Sequence, residues 1–574
     1  MVGRGLALMM TVLLGVSPSV GQGAGMSWVQ DSTDFNAAGS WLGGVPTSAD
    51  TADFLNTLTA VQSPTLTAGI SVLGINMSSS NAVSLGAGSA QTLTLGSSGI
   101  QKVSGTGAFT VGSTVSIALA GGSTFSNADA TTALTVSGAI TGSGSLSKSG
   151  AGELVLGGAN TFSGGTTVTA GTLTLNGGAA LGDATSLTLN GGVVRLGASE
   201  TIGALAGSGG TVDFQSNTLT VGGSTATSYS GAMVGAGGSL VKSGTGTLTL
   251  SGANSFTGGT TVSGGIVRVG NAAAFGTGAL TLVGGTVSSD STSARTLTNA
   301  WALNGSAVVG DVANSGVLTL SGAGSVTGAS TLTAASVVSV GGTVDLQGNT
   351  LTLAGAGDVT ISGDVTGAGG GLVKSGTGKL TLSGANTFTG GVSVGSGTTV
   401  MVGHNQALGG GTLTMSGGVV SSDTTVARAF SNNFSFGGGV TLGDTMNSGV
   451  LTLSGVGTLT SATTLTTPSS VIVSGAIGGG FALTKQGAGA LTLSGANTFS
   501  GGLTASLGSL YIGNDSALGG GTLVVGGGTV SSDSGTAWTL ANGISLGASA
   551  SLGDATRNGT LTFGVRARSR RIRR

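Results

Sequence analysis

LVKSGTGKLTLSGANTFTGG, residues 372–391, stands in near copies at 146–165, 240–259 and 483–502. Within it the apolar residues alternate: Leu380 and Leu382 flank Thr381, and Leu248, Leu250, Leu491 and Leu493 sit in the same pattern. A period of two is the signature of a strand with one buried face. The strands are short, about five residues, and are punctuated by Ser-Gly, Gly-Gly and Gly-Ala-Asn, as in TLTLNGG at 172–178 and SLTLNGG at 186–192. Each is expected to bury a row of Leu and Val and to present Thr on its other side.

An array of such strands suits a sandwich, a propeller or a solenoid, and spacing separates them. Lys148, Lys242, Lys374 and Lys485 are 94, 132 and 111 residues apart, and TVDFQSNTLTV at 211 recurs as TVDLQGNTLTL at 343, again 132 apart. The difference, 132 minus 111, is 21, which is one turn of a coil taking about 20–25 residues per turn. A solenoid accepts a whole extra turn, whereas a propeller keeps its blade length constant; only the 94-residue interval fits a whole number of turns less neatly. The expected fold is all-β: an elongated right-handed parallel β-helix (β-solenoid), whose roughly twenty-five turns stacked about 4.8 Å apart would span on the order of 120 Å.

Composition agrees. Charged residues make up 6% of the 574 and glycine contributes 117, so turns are plentiful and long helices are not expected. Six arginines (Arg566, Arg568, Arg570, Arg571, Arg573, Arg574) crowd the last nine residues; without them the net charge of -1 becomes -1 minus 6, or -7. A mildly acidic body offers no electrostatic footprint for nucleic acid. Arg4, the apolar run from Leu6 to Val16, and Ser19 with Gly21 read as an export signal. With no cysteine, stability must come from burial and hydrogen bonding, not disulfides.

The pattern LxKxGxGxLxLxGxNxFxGG resembles the passenger-associated transport repeat, also called the autotransporter-associated β-strand repeat, of Gram-negative autotransporters. With weaker partial units between the copies, the likeness covers roughly residues 140–560, and SWVQDSTDFNAAGSWLGGVPTSADTADFLN at 27–56 is similar to the start of such passengers. The resemblance implies a β-helical passenger threaded through an outer-membrane barrel to the cell surface, a route that suits a chain without disulfides. The C-terminal barrel of such families has no counterpart here: RNGTLTFGV at 557 runs straight into RARSRRIRR. A truncated or frameshifted gene, or a separate translocator, is the expectation. The organisation expected is a signal peptide at 1–25, an N-terminal cap region at 26–60, a β-helix passenger at 61–564 and an Arg-rich tail at 565–574.

Candidate chemistry is sparse. His404 is the sole histidine, and its internal equivalents are Asn271 and Asn514; both residue types favour left-handed backbone, so a turn role is expected in place of catalysis. Glu153 and Glu200 are the only glutamates, while Asp290, Asp423 and Asp533 recur in SSD and Asp311, Asp444 and Asp554 in GD turns. A catalytic carboxylate pair is unique and about 5–9.5 Å apart, whereas repeated aspartates serve turns. GTGKL at 376 lacks the hydroxyl residue of a phosphate loop, and no calcium nonapeptide array is present. Lys148, Lys242, Lys374 and Lys485 are expected to be solvated gatekeepers against lateral aggregation, with a ligand-binding row as the alternative. Asn160, Asn254, Asn386 and Asn497 are expected in turns, and Phe162, Phe256, Phe388 and Phe499 in the core. Trp28 and Trp41 are expected to cover the first exposed edge, with sugar stacking as the alternative.

No catalytic, cofactor-binding or metal-ligating residue is therefore singled out. The expected function is a non-catalytic, exported surface passenger acting as an adhesin-like or structural rod, with no cofactor. Its expected partners are an outer-membrane β-barrel translocator outside this chain and a host surface, glycan or neighbouring cell; no nucleic acid and no small-molecule substrate are expected. The alternatives are a carbohydrate-active β-helix enzyme, a polysaccharide lyase or glycosidase, and an ice- or glycan-binding face built from outward Thr rows.

Overall fold

The computed structural model describes residues 24–29 and 32–564 and the backbone of 568–569. The export signal expected at 1–25, apart from its last two residues, lies outside them, as does the Arg-rich tail apart from that short backbone stretch. The chain divides into two compact units, Met1–Leu248 with Asn254–Thr257, and Thr249–Ala253 with Gly258–Arg574. Both are parallel β-solenoids. Among the described residues there is no α-helix, and the single helical turn is the 3-10 segment Ala38–Ser40.

The first unit opens with a local reversal: Gly25–Trp28 runs antiparallel to Trp41–Leu42, pairing Trp28 with Trp41. From there pairing is parallel, and one sheet runs through Thr51–Phe54, Ile70–Met77, Gln91–Lys102, Ser123–Asn127, Leu146–Ser149, Thr166–Val168, Ser186–Leu189 and Ala204–Ala206. Strands between these in sequence, such as Leu134–Val136, Glu153–Leu156 and Thr172–Leu175, stack in a second sheet. Each turn of chain therefore returns to lie beside the previous one. Leu146 pairs with Thr166 and Thr166 with Leu187, steps of 20 and 21 residues.

The second unit follows the same plan. Val365–Thr366, Gly371–Lys374 and Lys379–Leu382 are the three short strands of one turn, and Val392–Val394 then returns to pair with Gly371–Lys374. Val338, Val359, Leu380, Val400 and Val420 form one in-register column, each at most 2% exposed. In Leu318–Leu320, Leu451–Leu453 and Leu491–Leu493 both leucines are buried and the threonine between them faces outward, half-buried. Each leucine so buried contributes about 1.5–3 kcal/mol. Short turns account for the awkward 94-residue interval, since Leu187 pairs with Leu205 and Arg195 with Asp213, steps of only 18.

Candidate functional site

The recurring first lysine and the asparagine of each repeat do not face solvent. Lys148, Lys242, Lys374 and Lys485 are 0–3% exposed, which overturns the expectation of solvated gatekeepers. The cause is strand phase. In Leu372, Val373, Lys374 the lysine lies two residues after a buried leucine and shares its side of the strand. The ammonium is then received by backbone carbonyls of the tight turn that follows. Lys485 Nζ donates to the carbonyls of Gln486 (2.9 Å), Gly487 (2.8 Å) and, one turn further on, Leu507 (3.0 Å). Lys148 repeats this on Ser149 (2.7 Å), Gly150 (2.8 Å) and Ala170 (3.1 Å). Lys374 donates to Ser375 and Gly376, and Lys242 to Gly244. Gly487 turns the chain at φ +81, a left-handed conformation that only glycine adopts freely, and so folds its carbonyl back onto the ammonium. Burial pulls Lys148 and Lys485 down to about 8 and lowers Lys242 and Lys374 as well. An ammonium with three N–H groups matches three carbonyls.

The asparagines do more than shape turns. Asn497 is 4% exposed and holds three successive turns together: Ile477 N–H donates to its Oδ1 (2.7 Å) and its Nδ2 donates to the Ala517 carbonyl (2.6 Å). Asn386 bridges Val365 and Ala407, and Asn160 bridges Ile140 and Ala180, at 2.6–2.7 Å. Met233 N–H donates to Asn254 Oδ1 (2.8 Å). Further on, Asn432 and Asn542 continue the clamp, donating to Gly409 and Gly411 and to Gly519 and Gly521. Beside these clamps Phe162, Phe256, Phe388 and Phe499 fill the core, each at most 1% exposed.

The carboxylates are held by structural partners. Asp290 pairs with Arg295 (2.7 Å) and Asp423 with Arg428 (2.9 Å), while Asp533 accepts from Trp538 Nε1 (3.3 Å) at the equivalent place. Asp311, Asp444 and Asp554 accept backbone N–H groups two residues on, at 2.7–2.8 Å. Glu153 and Asp213 share Arg195, at 3.9 and 3.5 Å. His404 does serve a turn, its Nδ1 accepting from Gln406 N–H (3.1 Å) as Asn271 and Asn514 accept from Ala273 and Ser516. The expected reason fails: among the described residues only Gln215 and Gln347 are non-glycine positions with positive φ. The side-chain acceptor, not left-handed backbone, is what histidine and asparagine share there.

Glu200, 2% exposed, receives Ala180 N–H (3.1 Å) and Leu181 N–H (3.0 Å), and burial pushes its carboxyl up to about 7. A folded value above the ordinary 4.5 means that its contribution is fully present below pH about 4.5 and is lost as pH rises through about 7. Glu200→Gln, which keeps an acceptor without the charge, is expected to flatten that loss, about 3 kcal/mol over the window. Unfolding of both proteins from pH 4 to pH 9 checks it; identical profiles would contradict it.

Trp28 and Trp41, both 4% exposed, meet edge to face with centroids 4.9 Å apart and pack on Phe35 and Phe54. Trp28 Nε1 donates to Gln62 Oε1 (3.2 Å) and Trp41 Nε1 to the Phe35 carbonyl (2.8 Å). Neither indole has an open face on which a sugar could stack.

Buried ammonium and amide groups that tie turn to turn, in a coil with hydroxyls outward, define a repeat protein whose motif serves assembly of the solenoid. The passenger-associated-transport-repeat family matches it at residues 146–175, 240–269, 372–401 and 483–512. In two of these spans, 146–175 and 483–512, the match contains both the lysine and the carbonyl it reaches on the next turn. The chain carries four passenger-associated-transport repeats, and its β-solenoid is consistent with an autotransporter passenger. No curated protein and no solved structure matches the chain.

Proposed function

We propose that the chain is the passenger of an autotransporter-type system: exported behind its N-terminal signal, delivered through an outer-membrane β-barrel, and displayed on the surface of a Gram-negative cell as a non-catalytic, adhesin-like or structural body. The observation that supports this most is the inward orientation of the repeat's Lys and Asn. The repeated chemistry of the motif is used to stack turns, which leaves Ser and Thr rows as the outer face. A solenoid also suits threading, because each turn finds its partner in the turn beside it as the chain emerges. The carboxylates in turns and ion pairs support a scaffold over a hydrolase.

The test joins residues 1–564 to an autotransporter barrel in a Gram-negative host and treats intact cells with protease. Loss of the signal and digestion of the passenger from outside are expected. Retention inside the cell, or release of reducing sugars from polysaccharides by the purified chain, would overturn the reading.

A further inference from the structure

Asp53, Asn76 and Gln101 occupy in-register positions on three adjacent parallel strands of the first unit. Two residues earlier on each strand, the neighbouring row on the same face reads Thr51, Gly74, Gly99, and Thr124 extends it on the next strand. Both glycines are buried, and a Cβ at either would meet Ser98 or Thr124 within 3 Å, so these neighbours close over them. Beside them the register slips between the pairs Val72↔Leu95 and Gly74↔Gly99, so the strand Gln91–Lys102 carries surplus residues there, and Ser97 and Ser98 rise as a rim. The result is a cleft of about 520 Å³ lined by Thr51, Asp53, Asn76, Ser98, Gln101 and Thr124, among others.

Its chemistry differs from the rest of the solenoid. The other aspartates described above accept from a cation, a backbone N–H or an indole, in some cases with an uncharged side chain beside it. Asp53 is held by side-chain groups, those of Asn76 (Nδ2 to Oδ1, 2.8 Å) and Thr51, and burial raises its carboxyl. Gln101 is fixed by donating Nε2 to the carbonyls of Ser98 (2.8 Å) and Thr124 (3.2 Å), which leaves its Oε1 as an acceptor. The cleft thus offers a carboxylate, carboxamide oxygens and several hydroxyls. Among the described residues no lysine or arginine lines it, so a phosphate, sulfate or carboxylate ligand would find no counter-charge there. Nor does a large apolar side chain among them, which disfavours a lipid or an apolar peptide. A sugar ring suits it, because each hydroxyl both donates and accepts and fixed acceptors orient it without paying for side-chain ordering.

We propose that this cleft binds a neutral saccharide unit of a surface glycan, with Asp53, Asn76 and Gln101 as the hydrogen-bonding row. The biological partner rests on the surface-passenger reading; the binding itself does not. The purified chain is titrated calorimetrically with neutral tetrasaccharides of glucose, galactose and mannose, with spermidine as a cationic probe and a sulfated oligosaccharide as an anionic one. At least one neutral tetrasaccharide is expected to bind in the millimolar range or tighter, and Asp53→Asn and Asn76→Ala with Gln101→Ala to weaken it about tenfold or more while the far-ultraviolet circular dichroism of the folded chain stays unchanged. No binding of any neutral sugar, binding untouched by the substitutions, or binding of spermidine or the sulfated probe alone would overturn the proposal. A protein displayed on cells but blind to sugars sinks the cleft alone; one that binds sugars but is never displayed sinks the passenger reading alone.

Discussion

Lys485→Met is expected to destabilise the turns around residues 483–512 by about 2–5 kcal/mol, an effect set by two opposing terms. Burying the ammonium is costly: a fall from 10.5 to about 8 corresponds to about 3 kcal/mol against the charged form. Methionine removes that cost and fills nearly the same volume. It also removes three charge-assisted hydrogen bonds, each worth about 1.5–3 kcal/mol, and leaves the Gln486, Gly487 and Leu507 carbonyls without the ammonium. The second term wins. Because solenoid turns touch only their neighbours, amide hydrogen exchange should quicken in 483–512 and stay unchanged in the first unit. The same shift fixes a pH dependence. The folded value lies below the unfolded one, so stability is fully present above about 10.5 and is lost as pH falls through about 8. Lys485→Met should abolish this lysine's share of that slope.

Asn497→Leu is expected to cost about 2–5 kcal/mol, although leucine is close to asparagine in shape. The amide joins Ile477 on one side to Ala517 on the other through bonds of 2.7 and 2.6 Å in a nearly closed site. Leucine leaves one buried N–H and one buried C=O without this partner, at about 1–3 kcal/mol each. Chemical denaturation should show an earlier transition, and exchange should quicken on both adjoining turns. The exposed Thr498 next to it is the control: Thr498→Ala should change stability by less than about 0.5 kcal/mol. Equal effects at the two positions would mean that the clamp contributes nothing.

The solenoid was legible because strand alternation and the 21-residue difference in spacing are both properties of the chain alone. The phenylalanines were legible for the same reason. The lysines' charge points outward while their phase points inward, and the phase prevails: Leu146 and Lys148, Leu240 and Lys242, Leu483 and Lys485 are each two apart on one strand. The inward carbonyls that make such burial tolerable belong to glycine turns and leave no side-chain signal. The bridging role of Asn160 and its equivalents is not legible, because their partners are backbone atoms of residues 20–21 away with no shared motif. Asp53, Asn76 and Gln101 were invisible as a group, since turns of 23 and 25 residues bring them together and nothing in their local sequence is alike.

The central claim is that the motif's cations are interior parts of the stack. Acylation of the native chain with an amine-reactive reagent, read peptide by peptide by mass spectrometry, tests this most directly, because the exposed Lys379 reports free reactivity in the same molecule. The account predicts that Lys379 is modified quickly while Lys148, Lys242, Lys374 and Lys485 stay unmodified until the chain unfolds. Modification of those four at the rate of Lys379 in folded protein would contradict it.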